Sequence, residues 1–231
     1  MAATVTVDKD GWFANDASIR REPRPTIEHG AMKSVRGIIV HQTGSSTAAG
    51  TLSSYKNAGA NGAHFLIDKD GTTYQVASMY RKTWHVGKLQ AKCLATHNCS
   101  PTEVKAIAKN KYTEINKLEM AKSVPLRFPS NNDAIGIELV GLCVLDPKYL
   151  AQVNPNLNAV DKAKKIDQLT AQYGVFETVT AAQNRALDQL ISKIQIGLGM
   201  ADEDKDQIFE HPQASRKNST EASTAQWPGK Q

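Results

Sequence analysis

No stretch of this 231-residue chain approaches the roughly 18 consecutive apolar residues of a transmembrane helix, so none is expected. The first ten residues, Met1 to Asp10, carry neither a basic leader nor an apolar segment, and no secretory signal is expected there. Cysteine is scarce. Cys93, Cys99 and Cys143 are the only three, too few for a disulfide framework, and no His–Cys spacing around them looks like a zinc knuckle. Cys93 and Cys99 could close a short loop in an oxidising compartment or stay free, while Cys143 falls in an apolar run and reads as a buried, inert thiol. Charge is not concentrated either: the net +5 comes from scattered Lys and Arg, in clusters such as Lys162-Ala163-Lys164-Lys165 and Arg216-Lys217. No helix-turn-helix, zinc-finger or RNP pattern goes with them, so nucleic acid is not the expected partner, although another anionic polymer suits the sign.

What is present is ordinary globular composition, 40% apolar and 22% charged, in a chain long enough to bury a core without metal or disulfides. Its centre is Ile38-Ile39-Val40-His41-Gln42-Thr43-Gly44, a β-branched run that reads as a strand buried on both faces and ends on a histidine. A second such run is Ile135 to Val144, with Glu138 inside it. Ala63 to Val76, interrupted by Asp68-Lys69-Asp70-Gly71, reads as a β-hairpin. Helices are expected within 45–60, after Ser100-Pro101-Thr102-Glu103, over 160–173 and after Thr180-Ala181-Ala182-Gln183; the Ser100 and Thr180 sites have capping-box spacing. The fold class is therefore α/β, a mixed central sheet flanked by helices. Residues 1–34, broken by Pro23 and Pro25, read as an arm packed on the domain through Trp12 and Phe13. Residues 35–231 form the domain proper, with a Lys-rich insertion at about 88–132, and the stretch from Glu210 onward reads as a polar loop.

A zinc hydrolase needs three protein ligands with a position left open, a group to handle the proton of water, and a cation for the oxyanion. His41 ends one strand, Glu138 lies in the other, and His211 and Lys217 sit in the C-terminal stretch. Sequence spacing alone does not bring them together.

The ordered motifs Ile39-Val40-His41-Gln42-Thr43-Gly44, Ala63-His64-Phe65-Leu66-Ile67-Asp68, Trp84-His85-Val86-Gly87, Ile135 to Gly141, Thr180 to Gln183, and His211 with Lys217 resemble the zinc-dependent N-acetylmuramoyl-L-alanine amidases, the family that includes the peptidoglycan-recognition proteins. The resemblance implies one zinc in a groove at the strand ends, with His41 and His211 as ligands. It makes Glu138 the carboxylate that handles the attacking water and Lys217 the cation for the tetrahedral oxyanion. Trp84 and His85 match the rim of the substrate groove, and His64 reads as a structural histidine in the sheet. His29 and His97 match nothing and read as surface residues. The family's loop usually runs from the lysine to Asp-Pro-Gly, with the Asp as third ligand; here Lys217 is followed by Asn218-Ser219-Thr220-Glu221. Aligning on the lysine points to Ser219, and counting from His211 points to Glu221, the carboxylate and the expected ligand.

The implied activity is hydrolysis of the amide between N-acetylmuramic acid and L-Ala of peptidoglycan stem peptides, the alternative being a non-catalytic peptidoglycan-binding module. Without a signal, such a protein would reach the periplasm or cell wall as a phage endolysin or as a secreted antibacterial effector. An effector would have an immunity protein as partner. A monomer is expected.

Overall fold

The computed structural model describes residues 5–230, so the first four residues of the expected arm and residue 231 lie outside it. In chain order the strands are β1 (Ile19–Arg21), β2 (Glu28–Ala31), β3 (Gly37–Gly44), β4 (Phe65–Ile67), β5 (Thr73–Gln75), β6 (Arg81–Thr83), β7 (Ala134–Val144), β8 (Val175–Phe176) and β9 (Ile208–Glu210). The helices are α1 (Ala48–Ser54), α2 (Lys92–Ala95), α3 (Pro101–Lys109), α4 (Tyr112–Met120), α5 (Pro147–Leu150), α6 (Ala159–Tyr173), α7 (Ala181–Gly197), α8 (Asp202–Lys205) and α9 (His211–Ala214).

The two β-branched runs are neighbours. β3 and β7 pair in parallel, Ile38 opposite Ile135 and His41 opposite Glu138. The main sheet runs β1-β5-β4-β7-β3-β9, with β8 antiparallel to the end of β7; β2 and β6 form a small second sheet. Only the β4–β5 hairpin is antiparallel within the main run, turning at Gly71 with φ +89°, where glycine's freedom is needed. The mixed α/β class read from the sequence is the class observed.

Alternation along the strands divides the chemistry between two faces. Ile38, Val40, Phe65, Ile67, Ile135, Ile137 and Leu139 all belong to one core cluster, together with Leu187, Leu190, Ile191 and Ile194 of α7. At roughly 1.5–3 kcal/mol for each buried aliphatic side chain, this face anchors the helix far more strongly than its intrinsic propensity could. Thr180 and Gln183 close the capping box, and Gln183 Nε2 also donates to the carbonyls of Ile67 and Val140, tying the start of α7 to the sheet. The residues between, Ile39, His41, His64, Gly136 and Glu138, therefore belong to the opposite face, where Ile39 and Ala134 pack with Val86, Leu89 and Phe128.

In the arm, β1 adds a parallel edge strand beside β5, Trp12 is buried and Phe13 packs on the core. Three expectations need correction. The stretch around Glu210 is not all loop, because Ile208-Phe209-Glu210 pairs with β3 and His211 opens α9. Cys143 is half-buried, its thiol facing the carbonyl of Thr170. His29 is half-buried rather than a plain surface residue, its ring stacked on Trp84 at 3.6 Å. Cys93 and Cys99, left open by the sequence, are joined in a disulfide beside α2. The insertion holds α2, α3 and α4, and Ser100 caps α3 as its spacing implied.

Candidate active site

Strand register brings the first two site residues together. Val40 is opposite Glu210 in the β3–β9 pair, so the next residues along the two parallel strands, His41 and His211, lie side by side with ring centroids 4.2 Å apart. Glu221 arrives from the following loop. Its Oε1 lies 2.8 Å from His211 Nδ1 and 3.5 Å from His41 Nδ1, and one ligand atom from each of the three residues fits within 4.8 Å of the others. The loop is held by a residue that sequence reasoning passed over: Gln42 Oε1 accepts from the Ala222 N–H at 2.9 Å, and Gln42 Nε2 donates to the Glu177 carbonyl at 2.9 Å. Ala222 itself has φ +57°, a left-handed turn that swings Glu221 inward. Ser219, the other candidate ligand, is exposed.

The hydrogen-bond partners assign the protons. His85 Nε2 lies 3.3 Å from the carbonyl of Ala134, which only accepts, so His85 Nδ1 is left as an acceptor. That atom is 2.9 Å from His41 Nε2, which must donate, leaving a lone pair on His41 Nδ1. His211 Nε2 donates to the Val86 carbonyl at 2.9 Å, and its Nδ1 likewise turns toward Glu221. Burial above all, then the nearby His211, depresses His41 to about 4 despite the opposing pull of Glu221. Burial would raise Glu221, but the two imidazoles beside it, His211 nearer than His41, outweigh this and hold the carboxyl at about 2, so it too is an acceptor. Three buried acceptors thus converge with too few protons among them. Such a donor set fits a cation, and two imidazoles with a carboxylate suit zinc. Asn131 Oδ1 accepts from the backbone N–H of His85 and of Val86, at 3.0 and 2.8 Å, and so fixes the two groups that His41 and His211 hydrogen-bond. Gly136 leaves room for the His85 ring, since a Cβ there would stand 2.7 Å from Nδ1.

Glu138 faces the same space. Its Oε2 is buried without a hydrogen-bond partner, and burial, with the charge of Glu221 adding and Lys217 opposing, raises its carboxyl to about 8. Lys217 is exposed and lines the cleft of about 770 Å³ that also contains His41, Glu138, His211 and Glu221. Trp84, 49% exposed, stands in its wall. His85, expected at the groove rim, lines the cleft but also braces His41 from behind. His64 stays in the sheet: Nε2 lies 2.8 Å from the Arg81 carbonyl, and Nδ1 accepts from the Gly136 N–H at 3.0 Å.

Gln42 offers a direct check of how the loop is held. Gln42→Ala leaves the buried Ala222 N–H unpaired, and the expected cost is about 1–3 kcal/mol of stability. Metal affinity should weaken by roughly 10–100-fold as Glu221 loosens. Thermal melts and a competitive zinc titration measure the two effects separately.

Residues 31–229 match the family model described as N-acetylmuramoyl-L-alanine amidase. No curated protein matches the sequence. Among solved structures, the chain aligns with a selenomethionine AmpD derivative at 16% identity, over 97% of this chain and 94% of that one, with a TM-score of 0.47. It also aligns with PlyL at 12% identity, over 92% and 84% of the two chains, TM-score 0.42. The endolysin amidase LysCS from Clostridium intestinale URNW aligns at 14% identity, over 91% and 89%, TM-score 0.40. The family match alone spans most of the 231 residues, and with it the chain belongs to the N-acetylmuramoyl-L-alanine amidases.

Proposed function

We propose that this amidase hydrolyses the amide joining the lactyl group of N-acetylmuramic acid to L-Ala of the peptidoglycan stem, with zinc held by His41, His211 and Glu221. The observation that carries the reading is the convergence of those three buried acceptors beside Glu138, a carboxylate with an unpartnered oxygen. Zinc, when bound, supplies a Lewis acid that polarises the scissile carbonyl and makes water a nucleophile near neutral pH. Glu138 takes the proton that water loses as the new C–O bond forms, then delivers it to the amide nitrogen as the C–N bond breaks. Lys217, in the wall of the same cleft, would supply an ammonium for the charge that develops on the carbonyl oxygen. Trp84 offers an aromatic face for a sugar or peptide, and His85 both lines the groove and fixes the tautomer of His41.

The Cys93–Cys99 disulfide favours work in an oxidising space such as the periplasm. That suits an enzyme that meets the wall as a phage endolysin or as an antibacterial effector, the latter with an immunity protein covering the groove.

A digest of purified sacculi, with and without a chelator, tests the reading by mass spectrometry of the released fragments. Free stem peptides with an L-Ala amino terminus, lost on chelation and regained with zinc, are expected. Binding to sacculi without release would instead identify a non-catalytic module, and cleavage within the stem would move the scissile bond.

A further inference from the structure

Among the described residues, four buried side-chain atoms lack a hydrogen-bond partner: Arg36 Nε, Asp204 Oδ1, Tyr55 Oη and Glu138 Oε2. The first two answer each other as an ion pair at 2.9 Å. The two that remain line the same cleft, on different elements: Glu138 on β7, Tyr55 just past the end of α1.

Tyr55 is held rigidly. Only 4% of it is exposed, and its ring packs with Ile27, Val76 and Ala77. Gly62 gives the ring its space, since a Cβ there would stand 2.9 Å from Cε1. The backbone carbonyl of Tyr55 is fixed by the Thr26 hydroxyl. Phenylalanine would fill this pocket without burying an O–H that has no acceptor among the described residues; the Ala63 backbone N–H that approaches the oxygen is itself a donor and cannot take that proton. An oxygen kept there calls for a partner that arrives with the ligand.

The chemistry limits what that partner is. Burial, and next the charge of Glu138, raise the Tyr55 phenol well above its ordinary range, with the Ala63 amide opposing, so at neutral pH it holds its proton and has an O–H to donate. Lys217 lines the same cleft, and in the proposed reaction the scissile carbonyl is already served by Lys217 and by the zinc. The acceptor left for Tyr55 is therefore a neighbouring oxygen of the substrate.

We propose that Tyr55 is a substrate-positioning residue, its O–H donating to a carbonyl oxygen that flanks the scissile amide and so seating the amide nitrogen over Glu138. The inference rests on the proposed amidase reaction. Two carbonyls flank that bond: the 2-acetamido oxygen on the sugar side and the L-Ala carbonyl on the peptide side.

The test compares zinc-loaded wild type and Tyr55→Phe on three substrates: a muramoyl stem peptide, the same molecule without its 2-acetyl group, and N-acetylmuramoyl-L-alaninol, which lacks the L-Ala carbonyl. Tyr55→Phe is expected to lose about tenfold or more in kcat/KM on the complete substrate, with Tm unchanged or higher. On whichever analogue lacks the partner oxygen, wild type should already be slow and Tyr55→Phe no slower, a coupling that a merely structural tyrosine would not give. A Tyr55→Phe enzyme within about twofold of wild type on every substrate, or one slowed equally on all three, overturns the inference and leaves the amidase reading intact. A zinc-loaded wild type that releases no L-Ala-terminated product overturns the amidase reading, and this inference falls with it.

Discussion

Glu138→Gln is expected to lower amide hydrolysis by about 10²–10⁴-fold while zinc content and binding to sacculi stay at wild-type levels. Glutamine keeps the shape of the side chain and can still hold a water, but it cannot accept and return a proton. Glu138 is suited to that exchange by its surroundings. It lies in a central strand in register with His41, and among the described residues no group hydrogen-bonds its Oε2. Burial first, then the neighbouring Glu221 charge, raise it to about 8 when no cation is present. A dication taking up the charge of Glu221 would draw Glu138 back down and ionise it as a base. The expected signature is intact metal binding with the chemical step lost, read from zinc analysis and single-turnover release of stem peptide.

The same shift gives a stability prediction for the chelated protein. A carboxyl raised from 4.5 to about 8 favours the folded state while protonated, and that contribution is lost as pH rises through the interval. Below about 6.5 the effect is masked, because His41 and His64, both depressed to about 4, gain stability with rising pH over their own interval. Between about 6.5 and about 8 Glu138 acts unopposed by these histidines. Chelated wild type should lose roughly 2 kcal/mol over that window and chelated Glu138→Gln almost none, as denaturant melts at several pH values would measure.

The parts of this molecule that were legible in its sequence are those whose cause is local. Ile38 to Val40 and Ile135 to Leu139 announce buried strands because β-branched and aliphatic runs fit a sheet covered on both faces. Ser100 and Thr180 announce helix starts because each cap contacts a residue three positions away. β9 escaped notice because three residues with a glutamate at the end carry no period, and only its pairing with β3 makes it a strand. β1, with two arginines in three residues, has no sheet signal apart from β5. Gln42 was visible within a motif but silent about its task, since its partner amide lies 180 residues away. Tyr55 falls within the 45–60 stretch expected to hold a helix, and nothing local reveals that its O–H is buried without an acceptor among the described residues. The resemblance to a family supplied the ligand types; the juxtaposition of His41 and His211 follows from strand register, which sequence does not print.

Glu221→Ala is expected to abolish stable zinc binding, taking the metal that copurifies from about one per chain to nearly none and the activity with it. Two histidines remain, but the set loses its anionic member and the atom that approaches both Nδ1 positions. In wild type, zinc at a hundredfold excess over its Kd should stabilise the fold by about 2.7 kcal/mol, and this gain should vanish in the variant. The substitution also separates the two ways of reading the C-terminal loop. Were residue 219 the ligand position, adding Ser219→Asp to Glu221→Ala would restore zinc. Ser219 is exposed, whereas the turn at Ala222, pinned by Gln42, directs only Glu221 into the cluster. The double variant should therefore remain zinc-free, while Glu221→Asp, one methylene short but correctly placed, should recover part of the metal. Zinc content by mass spectrometry across the three variants measures the order directly, and recovery by Ser219→Asp would transfer the third ligand to that position.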